Sequence, residues 1–104
     1  MTEHGLGPPI YVYTQEQALA DGILEDVSTL GFMKVVATSN LSHRIGLDDR
    51  DTVNLVLHDV ARALMQPDEE DDEYRKLRVL HWEGVKYWAI QEPSGITLLL
   101  PEDY

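Results

Sequence analysis

Across Pro67 the spacing of apolar residues changes from steps of three and four to steps of two, and this change limits the possible folds most. Before it, Val53, Val56, Leu57, Val60, Leu64 and Met65 recur at helical intervals. That spacing lines one face of an α-helix, predicted over residues 51–66. Asp48, Asp49 and Asp51 stand at its start, where carboxylates favour the positive end of the helix dipole. Pro67 ends it, because the residue before a proline is pushed out of helical geometry. After it, Leu77, Val79 and His81 alternate with Arg78, Leu80 and Trp82. Lys86, Trp88 and Ile90 then alternate with Val85, Tyr87 and Ala89. Glu83 and Gly84 form one turn sequence and Pro93, Ser94 and Gly95 another; a third strand over residues 96–100 stops at Pro101. The expectation is an α+β fold, with a C-terminal antiparallel β-meander packed against one long amphipathic helix. Both alternating faces of the meander carry apolar residues, so the face away from the helix is expected to be partly covered.

The first half supports shorter elements. Residues 1–9 are rich in glycine and proline and read as an irregular, flexible arm. Residues 10–104 read as a single domain, in keeping with a chain of 104 residues. Ile10, Tyr11, Val12 and Tyr13 suit a brief strand. Thr14 and Gln17 have the spacing of a capping box. A short helix through Ala18, Leu19 and Ala20 should stop at Asp21 and Gly22. Residues 23–28 fit either an extended or a turn-rich segment. Leu30, Gly31 and Phe32 read as a break, and residues 33–38 as a strand. A short helix over residues 41–45 would be capped by Ser39 or Asn40.

Nineteen Asp and Glu face eight Lys and Arg, for a formal net charge of −11. Such a chain repels nucleic acid and anionic membranes, and a positively charged partner suits it better. The same acidity also fits a role in solubility alone. There is no cysteine, which excludes disulfides, thiolate metal sites and a cysteine nucleophile. The first residues show neither the basic start nor the apolar stretch of a signal peptide. Leu98, Leu99 and Leu100 make the longest clean apolar run, far too short to span a bilayer.

Nothing in the sequence assembles a catalytic motif. His4, His43, His58 and His81 lack paired metal-ligand spacing. Ser28, Ser39, Ser42 and Ser94 lack a nucleophile-elbow context. No phosphate-binding glycine motif occurs. Asp48, Asp49, Asp51, His58 and Asp59 lack the patterned ligands of a calcium loop, and capping explains the first three. The expectation is a protein that is not an enzyme and carries no cofactor or metal.

Two features suit partner binding. Asp68, Glu69, Glu70, Asp71, Asp72 and Glu73 form a run of six acids. Duplex DNA carries one charge about every 1.7 Å of its axis, a density such a run can imitate before a basic groove. The alternative is a solvated loop that only keeps the chain soluble. Either way, a run this polar should stay exposed. It should then accept neutral replacements at Glu69, Glu70, Asp71 and Asp72 without loss of fold. Trp82 and Trp88, with Tyr87, flank the first hairpin turn. Exposed, they would anchor an interface; buried, they are core. One tryptophan is expected in the core. Tyr11, Tyr13 and Tyr104 could support a homodimer.

Residues 14–27 carry T-x-x-Q-A-x-x-D-G-x-L-x-D-V, and residues 96–101 carry I-T-x-x-L-P. Together they resemble an uncharacterised family of small acidic proteins from phages, plasmids and other bacterial mobile elements. Val36, Ala37 and Thr38 fit the place of a family strand. The resemblance implies a setting in the cytoplasm of a bacterial host and no particular chemistry. Small acidic proteins of that setting often inhibit nucleic-acid enzymes of the host. The functional expectation is therefore an accessory protein that binds a basic, nucleic-acid-handling host protein, as anti-CRISPR or anti-restriction proteins do. It would bind neither nucleic acid nor membrane directly. The alternative is a structural or regulatory interaction module acting as a homodimer.

Overall fold

The computed structural model describes residues 14–28 and 33–104. The arm at 1–9, the strand expected at 10–13 and the break at 30–32 lie outside them. Helix α1 spans Gln15–Ala20. Its capping box forms as the spacing predicts, with Thr14 Oγ1 accepting from the Gln17 amide at 3.1 Å. Strands β1 (Leu24–Asp26) and β2 (Val35–Thr38) follow, then helices α2 (Ser39–Ile45) and α3 (Arg50–Met65). The meander comprises β3 (Lys76–Trp82), β4 (Val85–Glu92) and β5 (Gly95–Leu99), and a 3-10 turn at Pro101–Asp103 comes after it.

The fold is α+β, with one mixed sheet in the order β1-β2-β5-β4-β3. The three C-terminal strands pair antiparallel as expected. The sheet continues beyond them, because β2 lies parallel to β5, with Val35 opposite Ile96 and Ala37 opposite Leu98. Strand β1 closes that side antiparallel to β2. Among the described residues, strands β1 and β3 are the two edges. All four β2 residues are buried, as a strand covered on both faces requires.

Each sheet face has its own core. Helices α2 and α3 cover one face, where Leu41, Val53, Val56, Leu57 and Val60 meet Val35, Ala37, Tyr87, Ala89 and Leu98. Helix α1 covers part of the other, where Ala18 and Leu24 meet Val36, Ile90 and Leu99. Burial pushes the Tyr87 phenol well above its ordinary range. Its hydroxyl and the Trp88 indole N–H are buried with no hydrogen-bond partner among the described residues.

Two details depart from the sequence expectation. The α2 cap is Thr38, whose hydroxyl accepts from the Leu41 amide at 3.2 Å. Ser39 instead donates to the Gly22 carbonyl, and Asn40 donates to Asp103. The apolar stripe of α3 is buried at Val53, Val56, Leu57 and Val60, but Leu64 is half-buried and Met65 is 83% exposed. Leu64 still packs against the core, while Met65 turns to solvent.

Gly95 fixes where β5 begins. Its φ is +140°, and a Cβ there would lie 2.5 Å from the Lys34 carbonyl oxygen, so no other residue fits without displacing backbone. The close approach lets the Ile96 amide donate to that same oxygen at 2.9 Å, starting the parallel ladder.

Candidate acidic loop and its anchor

The acidic run lies between the end of α3 and the start of β3. Six adjacent carboxylates repel one another, and the loop takes its shape from the shortest of them. Asp68 Oδ1 accepts from the Glu70 amide at 2.9 Å. Asp72 Oδ1 accepts from the amides of Tyr74 and Arg75, both at 2.7 Å. These are Asx turns, which aspartate makes because its short side chain reaches backbone two or three residues on. Glutamates are too long for this geometry, and Glu69, Glu70 and Glu73 project from the loop exposed.

Asp71 does the opposite of what a solvated loop requires. Its two oxygens each accept from Arg78, at 2.7 Å, in a bidentate pair. Arg78 is buried on the helix face of β3 and donates from Nε to the Ala63 carbonyl at 3.0 Å and from Nη2 to the Gln66 carbonyl at 2.7 Å. Its Nη1 also reaches the Leu77 carbonyl at 3.0 Å. All five guanidinium donors are thus used. One side chain caps the C-terminal carbonyls of α3, where a cation complements the helix dipole. It also clamps the loop to the strand. The Asp71 carboxyl lies below the usual carboxylate range because it accepts from Arg78, an effect partly opposed by desolvation. The same pair raises the Arg78 pKa.

The expectation of a wholly exposed loop is therefore corrected. Asp68, Glu69, Glu70, Asp72 and Glu73 are exposed, while Asp71 is half-buried and structural. Asp72 is exposed yet holds a turn. Neutral replacement at all of Glu69, Glu70, Asp71 and Asp72 would break this anchor, so the four do not form one interchangeable surface. Arg78 itself escaped the sequence reading, which placed it only as an alternate residue of β3. Its signal was a cation in phase with Leu80 and Trp82, on the inward parity of the strand.

A groove of about 980 Å³ lies between this loop and the outer edge of β3. Acids 68–72 form its wall, and Leu77 and Val79, 37% and 51% exposed, contribute apolar surface.

The tryptophans do not join this surface. Trp82 ends β3 and is half-buried against the helix-side core. At about 3.3 Å per residue, the seven residues of β3 put it roughly 20 Å from the strand's acidic end. Trp88 faces the opposite side, half-buried beside the α1 core. Its ring meets Tyr104 edge-on at 5.5 Å, and the Tyr104 hydroxyl accepts from Arg75 at 3.0 Å. The two tryptophans pack against separate cores and share no binding face.

Among the described residues, no group of three or more His, Asp or Glu is placed to hold a metal ion, and no helix is long and apolar enough to cross a membrane. Comparison with protein-family models, curated proteins and solved structures found no match to this chain.

Proposed function

We propose that this protein is a small acidic accessory protein of a phage or other bacterial mobile element. It binds a basic, nucleic-acid-handling protein of the host and inhibits or modulates it, in the manner of an anti-CRISPR or anti-restriction protein. One observation carries the reading. The acidic loop is held from inside by Asp71 and Arg78 and by two Asx turns, leaving the carboxylates of Asp68, Glu69, Glu70 and Glu73 exposed. A mobile acidic tail would lose conformational entropy on binding. A pre-shaped loop has lost most of it on folding, so more of its attraction for a basic groove appears as affinity. Its charge and the −11 of the whole chain also favour fast encounter with a cationic partner. The mobile-element setting rests on the resemblance carried by residues 14–27 and 96–101.

The test is affinity capture from bacterial lysate, comparing the wild type with a variant carrying Glu69→Gln, Glu70→Gln and Glu73→Gln. These three side chains make none of the loop's hydrogen bonds, so the variant keeps the fold. The reading expects the wild type to retain one or a few basic, nucleic-acid-handling proteins, to release them as salt rises, and to lose them in the variant. Equal capture by both proteins would remove the loop from the interaction. Capture of only acidic or metabolic proteins would remove the functional class.

A further inference from the structure

Among the described residues, the outer edge of β3 is open where the acidic groove meets it. Strand β3 pairs, among the described residues, only with β4, in continuous register from Lys76 opposite Gln91 to Trp82 opposite Val85. The Arg75 carbonyl accepts from the Asp72 amide, and the Leu77 carbonyl accepts from Arg78 Nη1. Both carbonyls therefore point away from β4. By the two-residue period of a strand, the backbone groups of Val79 and His81 point outward too. The loop covers the edge at 75, Arg78 occupies the carbonyl of Leu77, and the edge is uncovered at 79 and 81 among the described residues. Open strand edges are templates for another extended chain, and native proteins blunt them with covering loops and charge. Here the covering stops partway.

We infer that this groove takes an extended, basic segment of the partner protein, which adds to β3 as a further strand. This rests on the proposal that the partner is a basic protein, and it names how that partner is held. Main-chain bonds to Val79 and His81 would supply affinity that does not depend on sequence. Side chains of one parity on the added strand continue the row of Leu77 and Val79, so they are apolar. Those of the other parity meet Asp68, Glu69 and Glu70 at the Val79 end, where they are Lys or Arg, and Asp59 and Arg62 at the His81 end, where a neutral side chain also fits. A second copy of this chain is a poorer occupant, because pairing two β3 edges brings one acidic loop toward another and joins two chains of charge −11.

The probe is a set of three synthetic octapeptides, each carrying four arginines and blocked at both ends, measured by fluorescence anisotropy with the full chain. One alternates Arg and Val. The second has the same sequence with alternate backbone amides N-methylated on the edge that would face β3. The third spaces the arginines with glycine. The alternating peptide should bind, and the N-methylated one should bind at least about tenfold more weakly, because the main-chain bonds carry the affinity. The glycine peptide should also be weaker. Equal binding of all three would overturn strand addition while leaving an acidic, charge-driven surface intact. No binding by any peptide would overturn it as well, and capture from lysate would still test the broader function. Dimerisation of the free chain that masks the Val79 and His81 amides from hydrogen exchange would overturn it in favour of a second copy. As an independent check, Val79→Pro removes an outward amide donor without removing a bond to β4, a replacement edge strands tolerate. It should weaken binding of the alternating peptide, because the peptide carbonyl opposite residue 79 loses its donor.

Discussion

Arg78 joins three parts of the molecule: the end of α3, the acidic loop and the start of β3. A buried guanidinium is tolerable only when every donor is used, since each unpaired one would carry a desolvation cost. Removing the clamp with Arg78→Met should destabilise the fold by roughly 1–3 kcal/mol, as leaving acceptors without their charged donor does. The pH dependence has a definite sign. The carboxyl of Asp71 is lowered in the folded state by its bonds to Arg78. Its contribution is then fully present above the unfolded carboxylate value of about 3.9 and is lost as the pH falls through the lower folded value. At neutral pH, Asp71→Asn should melt below the wild type. The gap should narrow under acid, below about pH 4. Thermal melts of both proteins between neutral and acid pH measure this, and a gap that stays constant would show that Asp71 does not act through its charge. A sequence reading cannot supply this residue, because a run of six acids gives no local sign of which one turns inward. That choice is made by a cation on a strand that must first be folded.

At the scale of elements, what was legible in the sequence is what is periodic. Helix α3 and the meander were readable because amphipathic spacing is local: Val53, Val56, Leu57 and Val60 fall on one face wherever the chain goes next. The capping box of α1 was readable for the same reason, since Thr14 and Gln17 are three residues apart. The pairing of β2 with β5 was not, because Val35 and Ile96 are brought together by the packing of everything between them. The cap of α2 shows a finer limit. Thr38, Ser39 and Asn40 are all good caps, and the choice fell to Thr38 because Ser39 and Asn40 are engaged with Gly22 and Asp103. The packing of α3 on the sheet also sets an expectation. Val60 is fully buried in the helix-side core. Val60→Asp would place an unpaired charge there and should cost roughly 3–5 kcal/mol, as unpaired buried charges do. Urea unfolding at neutral pH reads this directly. A variant with an unchanged midpoint would mean that α3 does not rest on the sheet through this stripe.

At the scale of the whole molecule, the distribution of charge matters more than its total. Eight cations stand among nineteen acids. The most buried of the cations, Arg78, is fully occupied inside. Arg44 lies 4.0 Å from Glu102, both about half exposed. His81 and Lys86 sit opposite each other across the hairpin, both exposed, with Glu83 in the turn beside them. A protein gains affinity for duplex DNA by neutralising several phosphates at once, each displacing condensed counterions. Arg50 and Arg62 stand about three turns apart on α3, both exposed, with Asp51 and Asp59 near them in sequence, so these cations are spaced among acids. Meanwhile the acids at 68–70, 72 and 73 present an opposing field on an exposed loop. At ~0.15 M salt the screening length is about 8 Å, so a cationic spot would have to act locally against its own acidic neighbours. The free protein should therefore show no shift of a duplex in a gel assay at that ionic strength. It should also gain little at low salt, because lower screening strengthens repulsion as well as attraction. The proposed role is consistent with this, because a surface that competes for a basic groove carries the same sign of charge as the nucleic acid the groove normally holds. Tight duplex binding at ~0.15 M salt would mean that a local basic patch overrides the net charge. The loop could not then be the surface that defines the protein's partner.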